Sequence, residues 1–176
     1  MENNNQWAKA CLVAYKFLPR FCKILDKRIQ EIGYGSNCIS SSMIGHFDIE
    51  TIAEKIIALS AKKVDYINLK LITERALGKM NKKLSKILIL KYIYHMKSVD
   101  ICNLLKMNIR TYFRKVNDAV EEFASKLVQQ GYKRTAFMDL IKDDKFISNV
   151  YCLVKQNDDF SIETFKLKML NLKFAF

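Results

Sequence analysis

Basic side chains are concentrated in the middle of this 176-residue chain, which has a formal net charge of +12. Residues 75–115 contain 11 Lys or Arg and a single acid, Asp100. A surface that is merely solvated usually mixes both signs of charge, so this excess indicates a polyanionic partner. Nucleic acid is the first candidate, because phosphate neutralisation by Lys and Arg dominates its binding, and an anionic membrane surface is the second.

The side chains best suited to reading DNA fall on one side of a long helix predicted over residues 109–130. Apolar residues recur there in alternating steps of four and three, the spacing of a helix that buries one face. Asn108 is a favourable N-cap for this helix, and Gly131 is suited to end it. The recurring apolar residues are Ile109, Phe113, Val116, Val120, Phe123 and Leu127, and the opposite face carries Arg110, Thr111, Arg114, Lys115 and Asp118.

These polar residues have a defined chemistry toward duplex DNA. Arginine can donate two hydrogen bonds to the major-groove edge of guanine, and Thr or Tyr can reach a phosphate or a thymine methyl group. Arg110 and Arg114 lie one turn apart and are the expected base-reading pair. For Tyr112 two interpretations stay open: a contact to DNA, or a position at the edge of the core.

Two shorter helices are predicted to precede and support this one. The run LSKILILKYIYH, from Leu84 to His95, is too apolar for a surface helix and is interpreted as a buried central helix. The segment SVDICNLL then forms a short helix that ends near Lys106. A short helix, a tight turn and a second helix with a basic N-terminal end is the layout that places a recognition helix in the major groove.

Further lysines lie around these helices and complete the set of expected DNA-binding residues. Lys82, Lys83 and Lys86 begin the central helix, where positive charge opposes the helix dipole unless an anion is nearby, and this favours phosphate contacts. The remaining members flank the short helix and are Lys97 and Lys106.

The stretch from about Leu71 to Leu127 resembles region four of bacterial RNA polymerase sigma factors and the regulators built on the same helix-turn-helix. Asp100, Ile101 and Cys102 stand where that family has Glu-Ile-Ala, and the segment 105–108 stands at its Leu-Gly-Val-Ser turn. Lys106 occupies the place of the turn glycine, so its backbone is expected to be less left-handed or strained by ~1 kcal/mol.

The resemblance implies a bacterial, double-stranded-DNA-binding transcriptional regulator in which Arg110, Thr111, Arg114 and Lys115 match DNA-contacting positions. RNA polymerase is a further candidate partner. A complete small sigma factor is the alternative, and residues 1–60 show no recognisable pattern of the region-two domain that it would need.

Composition favours an all-α multi-helix bundle, because half of the residues are apolar while only five are Gly and one is Pro. No apolar run approaches the ~20 residues of a membrane span, and the N-terminus lacks the layout of a secretory signal. The expected compartment is therefore cytoplasmic, without a membrane partner.

Three regions are expected along the chain: an N-terminal helical segment (1–47), the basic helix-turn-helix domain (48–133) and a C-terminal interaction segment (134–176). Pro19 and Gly33 predict helices over 6–17 and 19–32, followed by a Ser- and Gly-rich linker over 33–47. Further helices are predicted from a cap at Asp48 to about Lys62, from Val64 to Met80 and over 145–156. The second of these places Val64, Ile67 and Leu71 on one face.

Catalytic, cofactor and metal sites are not expected. The cysteines are odd in number and scattered, and neither His46 nor His95 has a partner at a spacing typical of a nucleophile or metal site. The acidic pairs at 143–144 and 158–159 are interpreted as helix caps or solvated turns.

The C-terminal tail contains too many apolar residues to be fully exposed in a monomer. They are Phe165, Leu167, Met169, Leu170, Leu172, Phe174 and Phe176. We expect the tail to pack within the chain or against a second copy, and a homodimer with half-sites about one helical turn apart is favoured. A protein-interaction module that uses this tail without touching DNA is the alternative from another functional class.

Overall fold

The computed structural model describes residues 5–37 and 49–156, and every regular element in these ranges is helical. The all-α class is confirmed for this part of the chain. The elements are α1 (Gln6–Tyr15), α2 (Leu18–Asn37), α3 (Ile49–Gly78), α4 (Lys82–Leu88) with a π-helical turn (Ile89–Ile93), α5 (Ser98–Leu105), α6 (Ile109–Gln129), α7 (Arg134–Asp143) and α8 (Lys145–Gln156).

The chain forms two compact units, one within Met1–Ala14 and Ile72–Phe176 and the other within Tyr15–Leu71. In the second unit, Leu25 of α2 and Tyr66 and Leu69 of α3 are buried. The ring of Phe21 meets that of Tyr66 edge-on at a centroid distance of 6.1 Å. The predicted domain limits at residues 47 and 133 stay predictions.

Two helix boundaries that the sequence predicted are corrected. The helix α2 continues past Gly33 to Asn37, because a single Gly weakens a helix without forcing it to end. Residues 49–78 form one helix instead of two. The face of α3 that carries Val64 and Leu71 is exposed, at 53% and 40%, since the opposite face with Tyr66 is the one that is buried.

The first unit contains the predicted helix-turn-helix segment. Here α4 packs on α6, and α5 packs on both α6 and the π turn. These elements share a core, and each contributes apolar side chains to it. Its buried members are Ile87, Leu90, Ile101, Cys102, Tyr112 and Val116.

A second cluster in the same unit joins α1 to the C-terminal helices. The Trp7 ring lies 6.4 Å from that of Tyr132 and 6.3 Å from that of Phe137, measured between centroids. Phe137 in turn meets Tyr151 of α8 at 5.8 Å. The bounds of α8 confirm the helix predicted over 145–156, and the Asp144 carboxylate caps it by accepting a hydrogen bond from the Ile147 N–H at 2.9 Å.

Within the described ranges, no helix combines the length and apolar character needed to cross a bilayer. The predicted cap at Asp48, most of the predicted linker, His46, the acidic pair at 158–159 and the apolar tail lie outside the described residues.

Candidate nucleic-acid interface

The N-terminal end of α6 presents basic side chains on a capped, ordered helix. The Asn108 side-chain oxygen accepts a hydrogen bond from the Thr111 N–H at 2.7 Å, which confirms Asn108 as the N-cap. Arg110 and Arg114, one turn apart, are both exposed, while Thr111 and Lys115 are half-buried. An exposed guanidinium group can donate several hydrogen bonds to an acceptor-rich surface such as DNA.

The turn between α5 and α6 is closed by a Schellman motif. The Met107 N–H donates to the Cys102 carbonyl at 3.0 Å, and the Lys106 N–H donates to the Asn103 carbonyl. Lys106 adopts φ 50° and ψ 51°, so its backbone is left-handed and the alternative of a less left-handed turn is wrong. A side chain here strains the backbone in a conformation that favours glycine.

Tyr112 is a residue of the buried core. Its side chain is fully buried in the cluster that joins α4, α5 and α6. The position follows from helical geometry, because Tyr112 lies four residues before buried Val116 and therefore on the inner face of α6. The interpretation of Tyr112 as a DNA-contacting residue is corrected accordingly.

The apolar residues predicted to form the seam of α6 are buried from Val116 onward. Val116, Val120, Phe123 and Leu127 confirm the predicted seam. Ile109, however, is 46% exposed and Phe113 is 43% exposed. The seam prediction is wrong in this first part of the helix, where an apolar edge accompanies the exposed arginines.

The start of α4 brings exposed lysines to the same unit. Lys82, Lys83 and Lys86 are all exposed. Asn81 caps α4 by accepting from the Lys83 N–H at 2.9 Å, and its own N–H donates to the Glu122 carboxylate at 2.9 Å.

That carboxylate comes from α6 and supplies the negative charge that the dipole of α4 favours. The dipole of α4 therefore already has a negative partner within the protein, and it no longer argues for a bound phosphate. A phosphate-contacting role for these lysines now depends on their charge and exposure alone.

Lys97 and Lys106 are both exposed and stand at opposite ends of α5: Lys106 lies in the α5–α6 turn, and Lys97 is the N-cap residue of α5. Lys91 was missed by sequence reasoning, which counted it only within the basic segment. Its Nζ lies 5.6 Å from the Tyr92 ring centroid and 5.8 Å from that of Tyr112. The π turn that puts Lys91 there has no signal in the periodicity of the central helix.

An open groove of about 370 Å³ borders α4, lined by apolar side chains such as Leu77, Met80 and Leu90 together with Lys82 and Lys86. A small-molecule site usually encloses its ligand and converges several polar groups on it. This groove has mainly apolar walls and is open to solvent, so it does not point to a cofactor or substrate.

No described group of three or more His, Cys, Asp or Glu side chains is arranged to hold a metal ion. Four of the cysteines lie in the described residues, all as free thiols. Burial raises the pKa of the Cys11 thiol, which makes that side chain a poor nucleophile, and Cys152 is exposed.

The chain matches no protein-family model, no curated protein and no solved structure.

Proposed function

We propose that the protein is a double-stranded-DNA-binding transcriptional regulator that reads the major groove with the N-terminal end of α6. One observation carries this proposal: Arg110 and Arg114 are exposed on the outer side of a capped helix whose inner side is held in a buried core. In helix-turn-helix proteins, the N-terminal residues of the second helix contact base edges.

The order and packing of the elements support the same function. A short helix, α5, leads through a three-residue turn into α6, and both pack on a common core. Lys106 in the turn, Lys97 at the start of α5 and Lys115 on α6 add positive charge, and residues 101–117 contain no acid. Such a surface attracts the phosphate backbone while the arginines read bases.

A sigma-like regulator is the form that the resemblance favours, with RNA polymerase as a further partner. A single module of this size makes a small DNA interface, and two-fold symmetry doubles it. We therefore also propose a homodimer. Removal of residues 160–176 should shift the sedimenting mass toward monomer and weaken operator binding; a monomeric native protein whose truncated form binds equally well would contradict the dimer.

The function is tested by selecting bound sequences from a random duplex library with the full chain. The proposal predicts an enriched motif, an affinity for it that exceeds that for scrambled duplex, and a steep fall of both affinities with salt. The matched control is the Arg110→Ala/Arg114→Ala variant, checked for helicity by circular dichroism.

Enrichment of the same motif by that control variant would contradict the role of α6. Failure of the native protein to retain duplex DNA at low salt would contradict DNA binding itself and would favour a protein-interaction module.

A further inference from the structure

The central helix does not end as a regular α-helix. Ile89–Ile93 form a π turn in which the Tyr94 N–H donates to the Ile89 carbonyl at 2.9 Å, and His95 then adopts φ 57°. Lys91 follows buried Ile87 by four residues, a spacing that would put it on the buried face of an unbroken α-helix. π turns interrupt that register and recur at functional sites.

The Lys91 ammonium lies among three aromatic rings. Its Nζ is 5.6 Å from the Tyr92 ring centroid, 5.8 Å from that of Tyr112 and 6.0 Å from that of Phe113. Tyr112 and Phe113 also meet each other at 5.3 Å, with an interplanar angle of 65°. Cations within about 6 Å of a ring centroid are attracted to the ring face.

Two of these rings belong to α6 and lie between its exposed arginines in the sequence. Tyr112 and Phe113 follow Thr111 in the interval between Arg110 and Arg114. Tyr112 is fully buried, whereas Phe113 is 43% exposed, so Phe113 has less packing to hold it in place.

We propose that Lys91 is a positioning residue for DNA reading: its ammonium holds the Tyr112 and Phe113 rings and so fixes the first two turns of α6. This inference rests on the proposed function of Arg110 and Arg114. Because base readout needs each arginine at a defined place, loosening these turns lowers specific binding more than general phosphate attraction. Lys91 therefore differs in role from lysines that contact phosphate.

The test compares Lys91→Met, which keeps most of the side-chain length but removes the charge, with Lys91→Arg, which restores a cation. Lys86→Met is the matched control, an exposed lysine of α4. Each full-length variant is assayed for affinity to the selected duplex and to a scrambled duplex over a series of salt concentrations. Aromatic NMR spectra of the DNA-free proteins report the Tyr112 and Phe113 rings.

Lys91→Met should lower the ratio of specific to non-specific affinity by about tenfold, the size of a partly desolvated cation–π contact. Its salt dependence should stay unchanged, and Lys91→Arg should restore the ratio. Lys86→Met should instead weaken both duplexes alike and reduce the slope by about one unit.

The Tyr112 and Phe113 signals should move in Lys91→Met while those of Phe123 stay. Unmoved ring signals, or a reduced salt slope with an unchanged ratio, would overturn the positioning role. If the native protein selects no sequence, the proposed function fails, and the ring signals decide separately whether Lys91 holds α6. Should Lys91→Met not fold, Lys91→Gln replaces it in the same measurements.

Discussion

The two halves of α6 share one buried seam but carry opposite charge on their outer sides. The first half, through Val116, contains Arg110, Arg114 and Lys115 and no acid. The second half contains Asp118, Glu121 and Glu122, and Lys126 is its only cation. The seam runs on through Val120, Phe123 and Leu127 without interruption.

The apolar seam therefore holds α6 in the fold, whereas the charge on its outer face determines which partner each half can bind. The second half uses an acid structurally, since the Glu122 carboxylate accepts from the Asn81 N–H at the start of α4. Acids further along the outer face would also repel a phosphate backbone that ran parallel to the whole helix. If only the N-terminal end of α6 approaches DNA, the basic half meets the phosphates and the acidic half stays away from them. This is the geometry of helix-turn-helix recognition.

The largest effect is expected from the core that both halves share. Tyr112→Ala should lower the free energy of unfolding by about 3 to 5 kcal/mol, the range for a large aromatic residue removed from a packed core. Tyr112→Phe keeps the ring, and we expect it to preserve DNA affinity. Denaturant unfolding and duplex titration measure the two effects. If the Tyr112→Ala protein were as stable as the native protein but bound DNA more weakly, Tyr112 would be a DNA-contacting residue and its role in the core would be contradicted.

A smaller effect is expected from the lysines of α4, which test whether the basic surface extends beyond α6. Replacing Lys82, Lys83 and Lys86 by Ala should weaken binding to all duplexes alike and flatten the salt dependence by roughly one unit of slope per lost phosphate contact. Lys145→Ala, an exposed lysine of α8 outside this cluster, is the control for the loss of a single surface charge. Equal slopes for the triple variant and the control would make the three lysines ordinary solvated groups.

The smallest effect concerns the backbone at the two ends of the module. Lys106 before α6 and Gly131 after it both adopt positive φ, 50° and 84°, and both close Schellman motifs. Lys106→Gly should therefore stabilise the fold by up to about 1 kcal/mol, while Gly131→Ala should destabilise it by a similar amount. A Cβ at Gly131 would meet no atom within 4 Å, so the loss would come from the backbone alone. Thermal unfolding measures both, and a destabilised Lys106→Gly would contradict the strain.

Sequence alone predicted the elements whose ends are marked by local chemistry. Asn108 caps α6 and Gly131 ends it because side-chain acceptors and left-handed glycines act within a few residues. The ends of α5 and α8 also agree with the bounds that the sequence predicts. These limits need no knowledge of the rest of the fold.

Features set by packing were not predictable in the same way. The helix α3 has apolar residues on two faces, and hydrophobicity could not tell that Tyr66 is buried while Val64 is exposed. The apolar seam likewise could not show that Ile109 would lie beyond the reach of the core. The π turn, which places Lys91 beside the Tyr112 and Phe113 rings of α6, has no marker in the local sequence.

The central claim is that Arg110 and Arg114 contact guanine in the major groove. In the selected duplex, each guanine is replaced in turn by 7-deazaguanine, which lacks the N7 acceptor. Affinity for each duplex is measured for the native protein and for the Arg110→Ala and Arg114→Ala variants. Lys126→Ala is the control that removes a cation elsewhere on the same helix. At one guanine or more, the replacement should cost the native protein and the control about 1 to 3 kcal/mol, and one of the arginine variants clearly less. Equal losses in all four proteins, or no loss at any guanine, would contradict major-groove reading by α6.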